Sequence, residues 1–183
     1  MRASGGEVRG RYDVGPMVLR PAAAAALLAA AVLAPAVLAA SRPVNLPRVL
    51  AVQIASAKRG PVSVLLPSTL NADSGVPRVY GSGGATARGY DIQLAYAPNC
   101  YDATACFLAE FWGNPGKLRA LKSRVALARG IAGTYAGISC GASCGPATIE
   151  WKESGVLYTI QYRAGTKTNM IALANSAIKA GPR

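Results

Sequence analysis

Two serines stand in patterns that are typical of hydrolases. Ser139 and Ser143 each lie at the centre of a G-x-S-x-G sequence, which in hydrolases places the nucleophile on a sharp turn between a strand and a helix. The chain contains no histidine, so a histidine-free hydrolase would need a lysine such as Lys117 or Lys152 as its base. Because a strand rather than a helix is predicted after Pro146, we favour the interpretation that these glycines let a tight loop turn.

Four cysteines occur as two close pairs, Cys100 with Cys106 and Cys140 with Cys144. Four cysteines allow three pairings. Each pair brackets a turn between predicted strands, so the topology favours the local disulfides Cys100–Cys106 and Cys140–Cys144. The alternative is a four-cysteine zinc site, although such sites use closer pairs such as C-x₂-C. The short loop between Cys140 and Cys144 would also suit a secreted inhibitor.

A basic cluster follows the predicted strands of the middle region. It has five cations within thirteen residues and no acid, namely Lys117, Arg119, Lys122, Arg124 and Arg129. Such a run predicts a polyanion-binding patch, with a solvated strand face as the alternative. If these five cations face one anionic partner, reversing Arg119 and Lys122 to Glu is expected to abolish binding while leaving the melting temperature nearly unchanged, because surface charges contribute little to stability.

The charge balance beyond residue 40 restricts both partners and chemistry. There, 16 Lys and Arg stand against 6 Asp and Glu, a net charge of +10. Such a surface attracts anionic lipid or acidic polysaccharide, and outside the cytoplasm nucleic acid is not an expected partner. Among the acids only Glu110 lies in a strongly apolar stretch, where it is either buried or directed outward from an edge strand. Without histidine we expect no metal site and no cofactor.

Residues 1–40 have the layout of a secretory signal peptide. Arg20 precedes an uncharged run rich in alanine and leucine that ends in small residues, so cleavage is predicted after Ala39 or Ala40. An uncleaved membrane anchor is the alternative. Met17 would itself begin a compact signal and is a second candidate start. The absence of a nearby cysteine argues against lipidation, and a periplasmic or extracellular destination is expected.

Residues 41–183 are then expected to form a single α+β domain, an antiparallel sheet on which an N-terminal and a C-terminal helix pack. Residues 41–45 are interpreted as a flexible lead and residues 67–87 as a turn-rich loop containing one poor strand. The helices are predicted at residues 46–58 and 168–180, and the strands at residues 62–66, 89–97, 106–112, 123–128, 131–137, 148–152 and 156–163.

The last hairpin and helix carry the clearest apolar periodicities. Their period-2 and period-3.6 faces predict that five side chains pack together, namely Trp151, Tyr158, Ile160, Leu173 and Ile178.

The sequence Ile149-Glu150-Trp151, the G-x-x-Y at Gly155 to Tyr158 and the helix at residues 170–176 resemble domains of unknown function in exported bacterial proteins. Those domains are attached to anti-sigma factors and envelope lipoproteins. The resemblance covers the last forty or so residues and implies a hairpin that feeds a terminal helix, a bacterial source and a non-enzymatic envelope role. We therefore expect an exported non-enzymatic domain that binds an anionic envelope component. The alternatives are a histidine-free serine hydrolase and a secreted inhibitor.

Overall fold

The computed structural model describes residues 41–73, 75–100, 103–121 and 123–183, so the predicted signal peptide and Lys122 lie outside the described residues. The strands are β1 (Ser41–Asn45), β2 (Thr69–Asp73), β3 (Tyr80–Thr86), β4 (Gly89–Ala95), β5 (Phe107–Pro115), β6 (Ser123–Ala126), β7 (Ala132–Ala136), β8 (Ser139–Cys140), β9 (Cys144–Gly145), β10 (Ala147–Glu153) and β11 (Val156–Tyr162). The helices are α1 (Leu46–Val49), α2 (Ala51–Ala57) and α3 (Lys167–Ala180), with a 3₁₀ turn at Ala128–Gly130.

Seven strands form one antiparallel sheet in the order β3-β4-β5-β11-β10-β7-β6. Two small ladders accompany it, β1 with β2 and β8 with β9. The chain is therefore α+β with helices near both ends of the described domain, which confirms the predicted fold class. The last strand, β11, enters the middle of the sheet between β5 and β10, so the sheet is completed only when the final hairpin docks.

Helices α2 and α3 cover the same, apolar face of the sheet. Helix α2 packs against β3 and β4, and α3 packs against β10 and β11. Side-chain caps mark the starts of α1 and α3: the Asn45 side-chain amide oxygen accepts from the Arg48 backbone amide at 3.0 Å, and Thr166 and Asn169 form a capping box. Helix α2 follows Leu50 directly and has no side-chain cap. No helix of the described residues packs on the opposite face of the sheet, which we call the open face.

The predicted core of the C-terminal hairpin and helix is confirmed. Trp151, Tyr158, Ile160, Leu173 and Ile178 are all buried in one apolar cluster. The Trp151 and Tyr158 rings stack with their centroids 5.5 Å apart. Cross-strand aromatic pairs of this kind contribute stability beyond the area that they bury.

A glycine beside the aromatic pair makes room for a third ring. Gly113 lies opposite both Tyr90 and Tyr158 on the neighbouring strands, and a Cβ there would clash with the Tyr90 ring and lie 3.1 Å from the Tyr158 ring. The open space above Gly113 lets Tyr90 and Tyr158 extend across the apolar face. A larger residue at Gly113 would require the Tyr90 ring to move.

Tyrosine hydroxyls tie the segment at residues 63–71 across the apolar face. Tyr90 donates to the Leu65 carbonyl at 2.9 Å, Tyr158 to the Ser63 carbonyl at 3.1 Å, and Tyr162 to the Asn71 carbonyl at 2.7 Å. The predicted strand at residues 62–66 is wrong, because this segment is not assigned as a strand and pairs with no strand of the described residues. Its apolar residues instead contribute to the core, and side-chain hydroxyls satisfy backbone groups that a sheet would otherwise pair.

Burial also changes how these tyrosines ionise. Removal from water raises the pKa of Tyr158 and of Tyr162 to about 12, and it raises the pKa of Tyr90 further. A nearby carboxylate adds to the effect at Tyr158, where Glu153 disfavours the phenolate. The three hydroxyls therefore stay protonated, and so remain donors, across the physiological pH range.

Three further expectations for the N-terminal half are wrong. Residues 41–45 are a strand paired with β2 and not a flexible lead. The helix predicted at residues 46–58 is divided at Leu50, which has φ −102° and ψ 20°. The glycine-rich residues 81–84 belong to strand β3 and not to a turn. The reason for the last is helix packing, since a Cβ at Gly81 would clash with Leu50 and one at Gly84 with Ser56.

The connection from β5 to β6 crosses the open face. Strand β5 ends at Pro115 beside β11, whereas β6 lies at the far edge beyond β10 and β7. Arg119 in this connection hydrogen-bonds Glu150 on β10. We call residues 116–121 the strap. It begins beside Leu157 near the start of β11 and covers the open face over β10. It does not line the part of the face around Glu110 and Gln161.

Candidate functional site

Polar side chains meet in one row at the uncovered part of the open face. Gln93 on β4 lies opposite Glu110 on β5, and Glu110 lies opposite Gln161 on β11. Their neighbours along each strand, such as Ile92, face the core. Strand alternation therefore aims two carboxamides and one carboxylate toward the same side of the sheet.

This row lies in a cleft of about 830 Å³, within the range of roughly 300–1,000 Å³ that is usual for ligand pockets. Three parts of the chain line the cleft. The sheet contributes Gln93, Glu110, Trp112 and Gln161, and the region of the first disulfide contributes Thr104, Ala105, Phe107 and Arg163. The loop of the second disulfide contributes Ile138, Ser143, Cys144, Gly145 and Pro146.

Apolar side chains also line the cleft. Trp112 and Phe107 are half-buried, and Ile138 is 47% exposed, one of the three large apolar side chains exposed in the described part of the chain. Phe107 reaches the cleft because the β4–β5 register shifts between Leu94 and Ala95, whereas Leu108 beside it is buried in the core. A bulge thus redirects one aromatic residue from the core to the cleft.

Disulfides hold the loops on two sides of the cleft. Cys100 pairs with Cys106, and Cys140 pairs with Cys144. This is the local pairing expected from the turns, and it leaves the described cysteines without thiolates for zinc. Each disulfide reduces the number of conformations that the loop it closes can adopt. The cleft therefore has covalently restrained walls on a rigid sheet.

Arg163 braces the loop of the first disulfide. It follows β11, and its Nη1 donates to the Ala105 carbonyl at 2.7 Å and to the Thr104 carbonyl at 3.5 Å. Its backbone amide donates to the Leu108 carbonyl at 2.9 Å. Arg163, the one cation among the lining residues that the structure describes, is thus used to fix the loop.

The hydrolase motif does not form a nucleophile elbow. Ser143 lines the cleft and Ser139 does not. The residues after Ser143 form β9 and then β10, so no helix begins at either serine. Neither Lys117 nor Lys152, the two lysines that could have served as a base, lines the cleft. The glycines allow a two-strand turn closed by the second disulfide.

One ion pair, between the exposed side chain of Arg119 and the buried carboxylate of Glu150, fastens the strap to the sheet. The Glu150 side chain is 1% exposed, and it accepts from the Arg119 side chain and, at 3.3 Å, from the Arg119 backbone amide. The hydrogen bond to Glu150 raises the pKa of Arg119, so this guanidinium stays charged at any working pH. Thr134 and Thr159 flank Glu150 on the two neighbouring strands. Arg119 therefore supplies the counter-charge that a buried carboxylate requires.

The basic cluster is divided by this arrangement. Arg119 pairs with Glu150, and Arg129 lies 3.7 Å from Glu153. Lys117 and Arg124 are exposed and form no ion pair with another described residue, and Lys122 lies outside the described residues. The expectation that Arg119 can be reversed without cost is wrong, because a Glu there would stand beside buried Glu150.

Within the described ranges, no group of three or more His, Cys, Asp or Glu residues is placed to hold a metal ion. No helix among residues 41–73, 75–100, 103–121 and 123–183 has the length and apolar character to span a membrane.

A scan against protein-family models, a search of curated proteins and a search of solved structures each found no match to this chain. The resemblance of the C-terminal hairpin and helix to exported bacterial domains accordingly stays a prediction.

Sequence reasoning missed most of the cleft. It singled out Ser143 and Glu110 but neither Gln93 nor Gln161, and it did not assign Trp112 to a site. The signal that could have found them is strand alternation, since residues 110 and 112 share the face opposite to Phe111. Alternation alone does not say which strands become neighbours.

Proposed function

We propose that this chain is an exported, non-enzymatic domain that binds a component of the cell envelope in the cleft. The observation that carries the proposal is the cleft itself, with its in-register row Gln93, Glu110 and Gln161 beside half-buried Trp112. Concave sites that combine apolar walls with a few convergent polar groups are the usual ligand sites of proteins.

The two disulfides support export, because such bonds persist in oxidising compartments. The signal-like residues 1–40 support it independently. Mass spectrometry of the secreted product tests this part of the proposal. We expect the product to begin at Ala40 or Ser41 and to weigh four hydrogens less than the all-thiol chain. A product that retains residues 17–39 would show an anchor instead.

A binding role agrees better with the cleft than hydrolysis does. Among the described lining residues the titratable side chains are Glu110 and Arg163, and Arg163 is engaged with loop carbonyls. Nucleophilic catalysis by Ser143 would require an adjacent base with a second group to orient it. A serine-directed fluorophosphonate probe tests this alternative, and labelling of Ser143 would make the hydrolase the better account.

The fluorescence of Trp112 can report whether a ligand occupies the cleft. Of its two tryptophans, Trp112 lines the cleft and Trp151 is fully buried on the opposite face. We expect envelope material from the exporting cells to shift the emission of Trp112. The shift should persist in Trp151→Phe, where Trp112 is the sole tryptophan, and disappear in Trp112→Phe. Envelope material that leaves Trp112 emission unchanged would overturn the cleft as the binding site.

A second candidate function is binding of an anionic envelope polymer by the basic cluster. The exposed and unpaired state of Lys117 and Arg124 among the described residues favours it, as does the excess of cations. Retention on anionic liposomes or acidic polysaccharide should fall steeply with salt. The double reversal Lys117→Glu with Arg124→Glu should abolish retention with little change in melting temperature. Salt-insensitive retention, or none, would remove this candidate.

A further inference from the structure

We infer that the ligand of the cleft is an uncharged saccharide, bound with one pyranose ring stacked on Trp112 and its hydroxyl groups on the row Gln93, Glu110 and Gln161. This inference rests on the proposed function and specifies its ligand class. It is carried by the pairing of an amide-rich polar row with aromatic side chains in one cleft.

The polar row has the hydrogen-bonding capacity that sugar hydroxyls require. Each hydroxyl both donates and accepts, and a carboxamide offers two donors and an acceptor, whereas a carboxylate accepts only. Gln93 and Gln161 lie on either side of Glu110, one strand away in each direction. Adjacent strands are about 4.8 Å apart, so the row presents alternating donors and acceptors over about 10 Å, a span suited to more than one hydroxyl of a ring.

The aromatic side chains complement the other surface of a sugar. One face of a pyranose exposes C–H bonds and packs on an aromatic ring, which presents a negative π face. Trp112 lies one alternation beyond Glu110 on the same strand, so ring and carboxylate point to the same side of the sheet. Phe107 and the exposed Ile138 extend the apolar contact. A ligand with a C–H face and a hydroxyl rim meets both sets of groups.

The cleft is less suited to the other classes of envelope ligand. A phosphate-rich ligand would need several cations, and the described lining residues supply Arg163 alone, which braces the loop. A lipid chain would offer no hydrogen-bonding groups to the polar row. A peptide that adds as a strand requires a sheet edge, whereas the edges of the sheet are β3 and β6 and the cleft lies over β4, β5 and β11.

Titration calorimetry on the oxidised, exported protein tests the inference. The probes are tetrasaccharides of β-1,4-linked N-acetylglucosamine, β-1,4-linked glucose and α-1,4-linked glucose. The comparators are tetragalacturonate, phosphatidylglycerol vesicles and an extended octapeptide. We expect at least one neutral tetrasaccharide to bind and the comparators not to compete. The three neutral arms distinguish an amino-sugar polymer from a hexose polymer as the source.

Variants then test the mode of binding. Trp112→Ala should weaken binding by about tenfold or more, the equivalent of about 1.4 kcal/mol, and Trp112→Phe should weaken it less because a ring remains. Gln161→Leu should weaken binding several-fold without lowering the melting temperature. Asn114→Ala is the matched control, because Asn114 follows Trp112 on the same face of β5 and lies outside the cleft lining. Binding that is equal in Trp112→Ala and wild type would overturn the stacking.

The failures of the two proposals are distinguishable. If envelope material shifts Trp112 emission but no neutral saccharide binds, the saccharide inference is overturned and the proposed binding function stands. If neither has an effect on Trp112, both are overturned. Competition by tetragalacturonate, the vesicles or the peptide would likewise replace the uncharged saccharide with that class of ligand.

Discussion

The ion pair between Arg119 and Glu150 allows a quantitative test of the strap. We expect Arg119→Ala to destabilise the domain although the Arg119 side chain is 58% exposed. The reason lies with its partner, since Glu150 is 1% exposed and accepts from Arg119 through both the side chain and the backbone amide. Truncation would leave a buried carboxylate without its counter-charge.

The expected loss of stability follows from the different environments of the Arg119 and Glu150 side chains. Removing one partner of a fully buried ion pair costs roughly 3–5 kcal/mol, because the remaining charge is uncompensated, whereas fully exposed pairs contribute about 0–1 kcal/mol. The exposed guanidinium and the retained backbone hydrogen bond at 3.3 Å reduce the first figure, since water can reach part of the vacated space. We therefore expect a loss of about 2 kcal/mol, or about 6 °C in melting temperature.

Urea unfolding of the oxidised domain measures this loss. Lys117→Ala is the matched control, since Lys117 belongs to the same strap, is exposed and forms no ion pair with a described residue. Its unfolding free energy should stay within about 0.5 kcal/mol of wild type. Glu150→Gln removes the buried charge, so adding Arg119→Ala to it should cost less than adding the same change to wild type. The double-mutant cycle should give a coupling of about 1–2 kcal/mol.

Two results would refute this reasoning. If Arg119→Ala unfolds like Lys117→Ala, then Glu150 is solvated and the strap does not bury it. If the cycle gives no coupling, the loss in Arg119→Ala comes from packing of the arginine stem over the open face. In either case Arg119 would again be available to an anionic partner, and the basic cluster would regain it.

Three other predictions follow from the core and the loops. Trp151→Ala should cost about 3–5 kcal/mol in urea unfolding, and a wild-type midpoint would show that Trp151 is not in the core. Since Tyr158 and Tyr162 have pKa values raised to about 12, they should ionise late in an absorbance titration. Their contribution to stability should be complete below about pH 10, the pKa of tyrosine in the unfolded chain, and should be lost as the pH rises from about 10 to 12. Ionisation near pH 10 with unchanged stability would contradict this. Replacing Cys140 and Cys144 by serine should cost about 2 kcal/mol and weaken ligand binding in the cleft, whereas unaltered binding would show that this loop is no wall of it.

The C-terminal half could be predicted from the sequence because its signals are local. The hairpin of β10 and β11 turns at Ser154 and Gly155, both with positive φ. The final helix begins at a capping box and is followed by Gly181. The same periodicities that locate these elements also identify their buried faces, which is why the core around Trp151 was predicted correctly.

The N-terminal half was predicted less well because its structure depends on distant contacts. The glycines at residues 81–84 are typical of a turn, yet α2 packs so closely on β3 that Gly81 and Gly84 leave room for its side chains. The β-branched run at residues 62–66 is typical of a strand, yet tyrosines from β4 and β11 hold its backbone. In both places a tertiary contact overrides the local propensity.

The cleft illustrates a further limit, which concerns the order of strands. Alternation indicates that Gln93, Glu110 and Gln161 each lie on the face of their strand opposite to its core-facing residues. It does not indicate that β11, the last strand, enters beside β5 and brings Gln161 next to Glu110 across 50 intervening residues. That insertion creates the row, and the strap that leaves β5 covers only the neighbouring part of the face. A binding site assembled in this way depends on the docking of the final hairpin, so variants that loosen the hairpin should weaken ligand binding before the rest of the sheet unfolds.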